Sequence, residues 1–171
     1  MKHLFYILNL ILFLAVFNMS IWKKEQTLQN GKTIYLELAP KDPRSLFQGD
    51  YMSLRYAIID TLNWNDSLSP ATGFCVLTMD SLKIAQNIHY QETNAALGSA
   101  EVPVRFHYNN GRIQIGAESY FFEEAKGYTL DSARYGGLKV SENGECILIG
   151  LYDRHLQYLD TRKDSTVLTV Q

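Results

Sequence analysis

The feature that most constrains this chain is an uncharged stretch of 19 residues near its start, from Leu4 to Trp22. As an α-helix it would be about 28 Å long, close to the thickness of the hydrocarbon core of a bilayer. Its polar members are Asn9, Asn18 and Ser20, and Trp22 stands where an interfacial aromatic residue is expected. Because the segment has no polar face, a membrane-spanning anchor is favoured over a buried core helix.

A cleaved signal peptide is the competing interpretation of this stretch. Its apolar core would usually be shorter, about 7–15 residues, and a small-x-small cleavage site would follow. Here Phe17 is followed by Asn-Met-Ser-Ile-Trp, which is a poor site. We therefore predict an uncleaved anchor within residues 1–24 and a single domain over residues 25–171.

Charge is distributed unevenly between these two parts. Three of the 16 basic residues lie within residues 1–24, so the remainder carries 13 basic against 18 acidic residues, a net charge of −5. No basic patch stands out, which argues against nucleic acid as a partner. The predicted partner is the lipid bilayer, through Leu4–Trp22. Lys2 on one side nearly balances Lys23 and Lys24 on the other, so charge alone does not orient the anchor.

Beyond the anchor, short alternating segments separated by turn signals predict strands. The candidate strands are Thr33–Leu38, Tyr51–Ile59, Phe74–Met79, Leu82–Tyr90, Val102–Tyr108, Arg112–Ile115, Leu138–Val140 and Cys146–Tyr152, with Ser165–Val170 as a further one. Cys146–Tyr152 is the most apolar of them and is predicted to be central. Pro103 suggests an edge position near the start of its strand.

Helical character is predicted in one later region, between Tyr120 and Arg134, and it would end at Tyr135-Gly136-Gly137. Glu25–Asn30 is interpreted as a short polar connection. The predicted fold is an N-terminal transmembrane helix followed by a β-rich α+β domain. That domain would be mostly antiparallel sheet, or a partly open barrel, with one or two short helices.

The segment from Pro40 to Tyr56 has the chemistry of a corner that leads into a strand. Asp42 can cap a short helical turn and Pro43 suits its first position. Gly49 can adopt the left-handed conformation that ends such a turn, and Asp50 then enters the strand. The strand that follows places Met52, Leu54, Tyr56 and Ile58 on one face.

These residues also carry a family resemblance. Gly49-Asp50-Tyr51-x-x-Leu54-x-Tyr56 resembles the motif of the GDYXXLXY family of bacterial membrane-anchored proteins, and Pro40, Asp42-Pro43-Arg44 and Leu46 resemble its lead-in. Tyr120-Phe121 with Glu124, and Ala133-Arg134-Tyr135-Gly136, resemble later parts of the family. The chain departs from the family at Ala125, where glycine is usual.

The resemblance implies a location and an architecture but no established activity. It implies a short cytoplasmic N-terminus, a single pass through the inner membrane and a domain on the periplasmic side. It also implies an accessory or binding domain for another membrane protein, because family members resemble accessory proteins found beside multi-pass membrane proteins.

Motif and candidate binding residues follow from these observations, and no catalytic, cofactor-binding or metal-binding residue is predicted. They are Asp42, Arg44, Gly49, Asp50, Tyr51, Leu54, Tyr56, Tyr120, Glu124, Arg134 and Tyr135. The structural interpretation is a cap with an Arg–Asp pair at the corner and helix-start acids at Glu123 and Glu124. The alternative is a hydrolase or a small-ligand-binding domain with a site near Asp50, Glu124 and Arg134, although Ser45 has no evident base.

The remaining reactive side chains give weaker signals. His89, His107 and His155 show no metal-ligand spacing such as H-E-x-x-H. Cys75 and Cys146 lie in apolar runs, where buried free thiols are expected, and a disulfide is the alternative in an oxidising compartment.

Overall fold

The computed structural model describes residues 2–39, 51–62, 70–93, 98–109, 111–121 and 130–160, with the backbone alone at 2, 4, 5 and 51. The predicted helical turn at Pro40–Gly49 and the candidate strand Ser165–Val170 lie outside these residues. The elements are α1 Lys2–Asn30, β1 Lys32–Glu37, β2 Tyr51–Ser53, α2 Ala57–Asp60, β3 Thr72–Met79, β4 Ala85–Gln91, β5 Glu101–Asn109, β6 Arg112–Gln114, β7 Ser119–Phe121, β8 Tyr135–Val140 and β9 Cys146–Tyr152.

Helix α1 continues without a break from the apolar segment to the first strand of the domain. Residues 6–30 are long and apolar enough to cross a membrane, with a mean hydropathy of 1.6 over the best window. The predicted polar connection Glu25–Asn30 is wrong, because these residues form the last turns of α1. Polar residues such as Glu25 and Gln29 support the helix through i,i+4 side-chain contacts, here a hydrogen bond of 2.7 Å.

The C-terminal end of α1 is fixed to the domain. Thr27 is buried, with 7% of its surface exposed, and the helix contacts both β8 and β9. The Gly31 N–H donates to the Thr27 carbonyl, and the Lys139 ammonium donates to the Gly31 carbonyl at 3.0 Å. A cation at this end also complements the negative pole of the helix dipole.

The described strands form three antiparallel sheets, ordered β1-β8-β9, β2-β7 and β4-β3-β5-β6. The α+β class predicted from the sequence is confirmed. Strand β8 is central in its sheet and β9 lies at the edge, so the prediction that Cys146–Tyr152 is central is wrong. Ile147, Leu148 and Ile149 are only half-buried, which fits an apolar edge strand.

A tight turn after β3 joins two of the sheets. The Asp80 carboxylate accepts hydrogen bonds from the N–H groups of Leu82 and Ile84, at 2.8 and 2.9 Å. The Lys83 carbonyl then accepts from the Tyr35 N–H of β1. This turn therefore holds the four-stranded sheet against the sheet that receives α1.

Three local predictions fail because tertiary contacts override the local pattern. The strand predicted over Tyr51–Ile59 ends at Ser53, and the chain enters α2 at Ala57 after a bridge between Tyr56 and Leu38. Tyr120 and Phe121 belong to β7, paired with β2, and do not start a helix. Residues 122–129 of that predicted helix lie outside the described residues, and residues 130–134, its predicted last part, form a turn and irregular structure and no α-helix.

The third failed prediction concerns Tyr135-Gly136-Gly137, which lies inside β8 and does not end a helix. An aromatic ring packs directly over each glycine and leaves no room for a Cβ. A Cβ on Gly136 would lie 2.9 Å from the Tyr56 ring, and a Cβ on Gly137 would overlap the Tyr152 ring. Glycine is thus required by close approach, which a local reading interprets as a chain break.

The core lies between the sheets and is aliphatic with one large aromatic ring at its centre. Its fully buried members are Ile34, Leu36, Cys75, Val76, Leu77, Val102, Val104, Phe106, Leu138, Val140 and Leu151. Pro103 is placed as predicted: β6 pairs only with residues 107–109 of β5, so no described strand pairs with that side of β5 at Pro103.

Candidate functional site

A cleft of about 490 Å³ opens between the end of β2 with α2 on one side and β6 on the other. That volume is within the usual range of ligand pockets, about 300–1,000 Å³. Its walls come from three separate parts of the chain: Ser53 to Leu62, Tyr108 to Gln114, and Glu118. The last residues of the G-D-Y-x-x-L-x-Y motif therefore line a concave surface.

Three buried side chains form the base of the cleft. Leu54, Tyr56 and Ile59 are buried, with 4%, 3% and 9% of their surfaces exposed. The Tyr56 hydroxyl donates a hydrogen bond of 2.5 Å to the Ala117 carbonyl. Burial raises the pKa of Tyr56 well above its ordinary value, and the nearby Cys146 and Glu118 add to the effect. The hydroxyl is therefore a permanent donor that ties the motif to the segment between β6 and β7.

Charged side chains form the rim, and most of them are already engaged. The Arg55 guanidinium pairs with the Asp60 carboxylate at 2.8 Å, with both side chains about half exposed. Glu118 accepts from the N–H groups of Ile115 and Gly116. Arg112 and Gln114 lie exposed on the β6 wall.

The sequence-predicted site residues divide into four groups, of which the last comprises Arg134 and Tyr135. Leu54 and Tyr56 line the cleft. Tyr120 lies opposite Met52 across β7 and β2, and Tyr51 lies opposite Phe121. Asp42, Arg44, Gly49, Asp50 and Glu124 lie outside the described residues.

Arg134 and Tyr135 lie away from the cleft residues, at the start of β8. The Arg134 guanidinium pairs with the Glu37 carboxylate of β1, and the Arg134 carbonyl accepts from the Leu38 N–H. Tyr135 is half-buried opposite Tyr152. Among the described residues, Arg134 is thus part of the attachment of β1 to β8.

Two parts of the sequence that carry the resemblance meet in space. The Tyr56 ring from the first motif packs over Gly136 from the later Ala-Arg-Tyr-Gly segment. Gly136 lies opposite Leu36 and Leu151, both fully buried. These motif residues therefore build the core beneath the cleft, and the cleft rim is built by residues beside them.

Sequence reasoning missed the rim residues Arg55, Asp60, Arg112, Gln114 and Glu118. Arg55 lies within the motif at a variable position, and the Asn-Asn-Gly turn places Arg112 at the start of β6. Nothing local brings these segments together, since they face one another across the cleft only in the folded chain. Within the described residues, no three His, Cys, Asp or Glu side chains lie close enough to hold a metal ion.

Both cysteines are free thiols; Cys75 is buried, as predicted, and Cys146 is half-buried. Burial raises the pKa of Cys75 to about 12 and that of Cys146 to about 12, with Glu118 adding to the latter. The Cys146 thiol donates to the Ile115 carbonyl at 2.9 Å, so it braces the segment that follows β6.

We expect both thiols to resist alkylation in the folded protein. With a pKa of about 12, only on the order of 10⁻⁴ of each thiol is ionised at pH 8, and the thiolate is the nucleophile. Iodoacetamide at pH 8 should leave the native mass unchanged over the time in which denatured protein gains two adducts. Rapid native labelling, located with Cys75→Ala and Cys146→Ala variants, would contradict the burial of the labelled thiol.

The fold and cleft define a class of protein: a β-rich domain with a cleft, in contact with the end of an N-terminal helix that is a candidate membrane span. The family model of the GDYXXLXY protein matches residues 13–151. The chain therefore belongs to the GDYXXLXY family. No curated protein and no solved structure matches it.

Proposed function

We propose that this is a single-pass protein of the inner membrane, with residues 1–24 as its anchor and residues 25–171 as one periplasmic domain. We further propose that the domain is an accessory or binding domain for another membrane protein. Membership of the family supports the proposal, and so does the apolar surface of α1, where residues 6–22 are exposed throughout the structure.

The observation that carries the proposal is the rigid junction between α1 and the domain. Residues 23–30 extend the helix by about 12 Å beyond the apolar segment. Because Thr27 is buried and Lys139 donates to the Gly31 carbonyl, we infer that these contacts hold the domain at a fixed height and orientation relative to the helix. Such a connection pre-organises a surface toward a partner that is itself fixed in the bilayer, which lowers the entropic cost of binding.

The alternative proposal, a hydrolase or small-ligand domain near Asp50, Glu124 and Arg134, has less support. Of these three residues only Arg134 is described, and its guanidinium is engaged by Glu37. The remaining proposed motif residues, Asp42, Arg44, Gly49, Tyr51 and Tyr135, are assigned to folding of the corner and of β8. A small molecule recovered with the purified protein would favour this alternative.

Photo-cross-linking of the full chain in native membranes tests the proposed function. A benzophenone amino acid at Leu12, which is 62% exposed on α1, or at Phe121, which is 74% exposed on β7, should give an adduct with another membrane protein. A flexible six-residue Gly/Ser linker inserted after Lys24 should abolish the Phe121 adduct and leave the Leu12 adduct. The matched control carries the same linker before Lys2, and both adducts should persist.

Two results would contradict the proposal. If neither position gives an adduct, the proposal of a partner membrane protein is contradicted. Persistence of the Phe121 adduct with the linker after Lys24 would show that the rigid junction has no part in binding.

A further inference from the structure

The outer edge of β6 is the part of the cleft wall where backbone hydrogen-bonding groups lack a pairing strand among the described residues. The four-stranded sheet ends on β6, and no described strand pairs with its outer side. The Tyr108 N–H donates to Ala71, next to β3, so the polar backbone groups of Tyr108 face away from β6. Tyr108 lies opposite Ile113. Because facing residues in an antiparallel pair alternate between bonded and non-bonded pairs, the Ile113 N–H and C=O point outward from the sheet.

The open edge at Ile113 borders the cleft, because all three residues of β6 line it together with Glu118. Ile115, which follows β6, is already engaged: its N–H donates to the Glu118 carboxylate and its carbonyl accepts from the Cys146 thiol. Among the described residues, the open backbone edge on this wall is therefore at Ile113.

The charges at the rim identify what would fit there. Arg55 is neutralised by Asp60, and Glu118 is held by two backbone N–H groups. Arg112 is exposed on the cleft wall beside Ile113 and forms no ion pair with any described residue. Arg112 is thus the cation beside the open edge that can pair with a ligand, and its guanidinium suits a carboxylate.

We propose that the cleft binds an extended segment of the partner membrane protein, which adds a short strand to β6 at Ile113 and places an acidic side chain on Arg112. Addition of a strand to a sheet edge is an established mode of peptide recognition, with backbone bonds giving affinity and side-chain contacts giving specificity. The buried Leu54 and Tyr56 lie beneath this wall of the cleft. This inference rests on the proposed function, since it names the docking site for the same partner.

Cross-linking from the cleft wall in native membranes tests the location. A benzophenone amino acid at Gln114, exposed on β6, should give an adduct, and one at Asn87, exposed on β4, should not. Mass spectrometry of the Gln114 adduct should identify a peptide that contains Asp or Glu. A synthetic peptide of that sequence is then the probe for binding to the full-length protein in detergent.

A matched pair of variants tests the backbone contact. Ile113→Pro removes the outward N–H, which takes no part in the β5–β6 ladder, and Ile113→Ala shortens the side chain but keeps that N–H. We expect Ile113→Pro to weaken peptide binding about tenfold, equivalent to about 1.4 kcal/mol. Ile113→Ala keeps the backbone contact, so it should weaken binding less than Ile113→Pro does. Arg112→Gln, which cannot disturb the ladder, should weaken binding about tenfold and reduce its salt dependence.

Each other outcome overturns the inference. Unchanged binding by Arg112→Gln, or equal binding by folded Ile113→Pro and Ile113→Ala, would exclude edge pairing at this site. An adduct of twice the mass of the chain would assign the cleft to a second copy, and a small molecule recovered from the purified protein would make it a ligand pocket. An adduct from Leu12 or Phe121 without one from Gln114 would overturn the cleft while the proposed function stands; no adduct from any of these three positions would overturn both.

Discussion

Of the single substitutions proposed, Tyr56→Ala should lower the free energy of unfolding the most. The ring is 3% exposed and packs on Gly136, and its hydroxyl satisfies the Ala117 carbonyl. Truncation of a buried aromatic side chain costs about 3–5 kcal/mol, and an unsatisfied buried carbonyl about 1–3 kcal/mol more. For a chain of this size each kcal/mol lowers the unfolding midpoint by about 2–4 °C, so we expect a loss of roughly 10 °C or more.

Tyr56→Phe is the matched control for that prediction. It keeps the ring and removes only the hydroxyl, so the expected loss of unfolding free energy is about 1–2 kcal/mol. Thermal unfolding of the full-length protein in detergent, followed by circular dichroism, measures both variants. Equal losses in the two variants would show that the hydrogen bond and not the ring supports the core, and an unchanged midpoint in Tyr56→Ala would exclude its burial.

The pKa of Tyr56 gives the direction of a pH effect on the same contact. Burial holds the folded-state pKa above the ordinary value of 10.0, so the folded chain keeps its proton where the unfolded chain loses it. Cys75 and Cys146 behave in the same way, with pKa values raised from 9.0 to about 12. Stability from these groups is therefore full below pH 9 and falls as the pH rises above it.

The sequence predicted those features that depend on local chemistry. The apolar run from Leu4 to Trp22 predicts a helix because nothing else satisfies its backbone in an apolar environment. Asn-Asn-Gly at Asn109–Gly111 and Glu-Asn-Gly at Glu142–Gly144 predict tight turns, and the structure has hairpins at both. The inward alternation of Met52, Leu54 and Tyr56 is likewise confirmed by their burial.

The features that sequence reasoning missed depend on contacts between distant segments. Glu25–Asn30 has the composition of a polar connection, and only the structure shows that Thr27 is buried against the sheet. Tyr120 and Phe121 read as a helix start because their pairing with β2 joins residues far apart in the chain. The cleft is the clearest case. Leu54 and Tyr56 were named as motif residues without any prediction of a cleft, and Arg112 and Glu118 face them only in the folded chain.

Gly136 is the residue through which one such long-range contact can be tested. A Cβ added here would lie 2.9 Å from the Tyr56 ring and 3.6 Å from Leu148, so a β-branched side chain has no room. We expect Gly136→Val to lose about 1–3 kcal/mol through overpacking, a little of which is offset by the lower entropy of the unfolded chain. Thermal unfolding of the full-length protein is again the measurement.

A double-mutant cycle separates this contact from general damage to β8. Tyr56→Ala vacates the space that Gly136→Val needs, so the two changes together should cost less than their sum by about 0.5–3 kcal/mol. Gly137 supplies the control, because a side chain there meets the Tyr152 ring and not Tyr56. Gly137→Val combined with Tyr56→Ala should therefore be additive within about 0.5 kcal/mol. If both cycles are additive, the two family motifs do not meet at Gly136, and the packing beneath the cleft differs from the arrangement described.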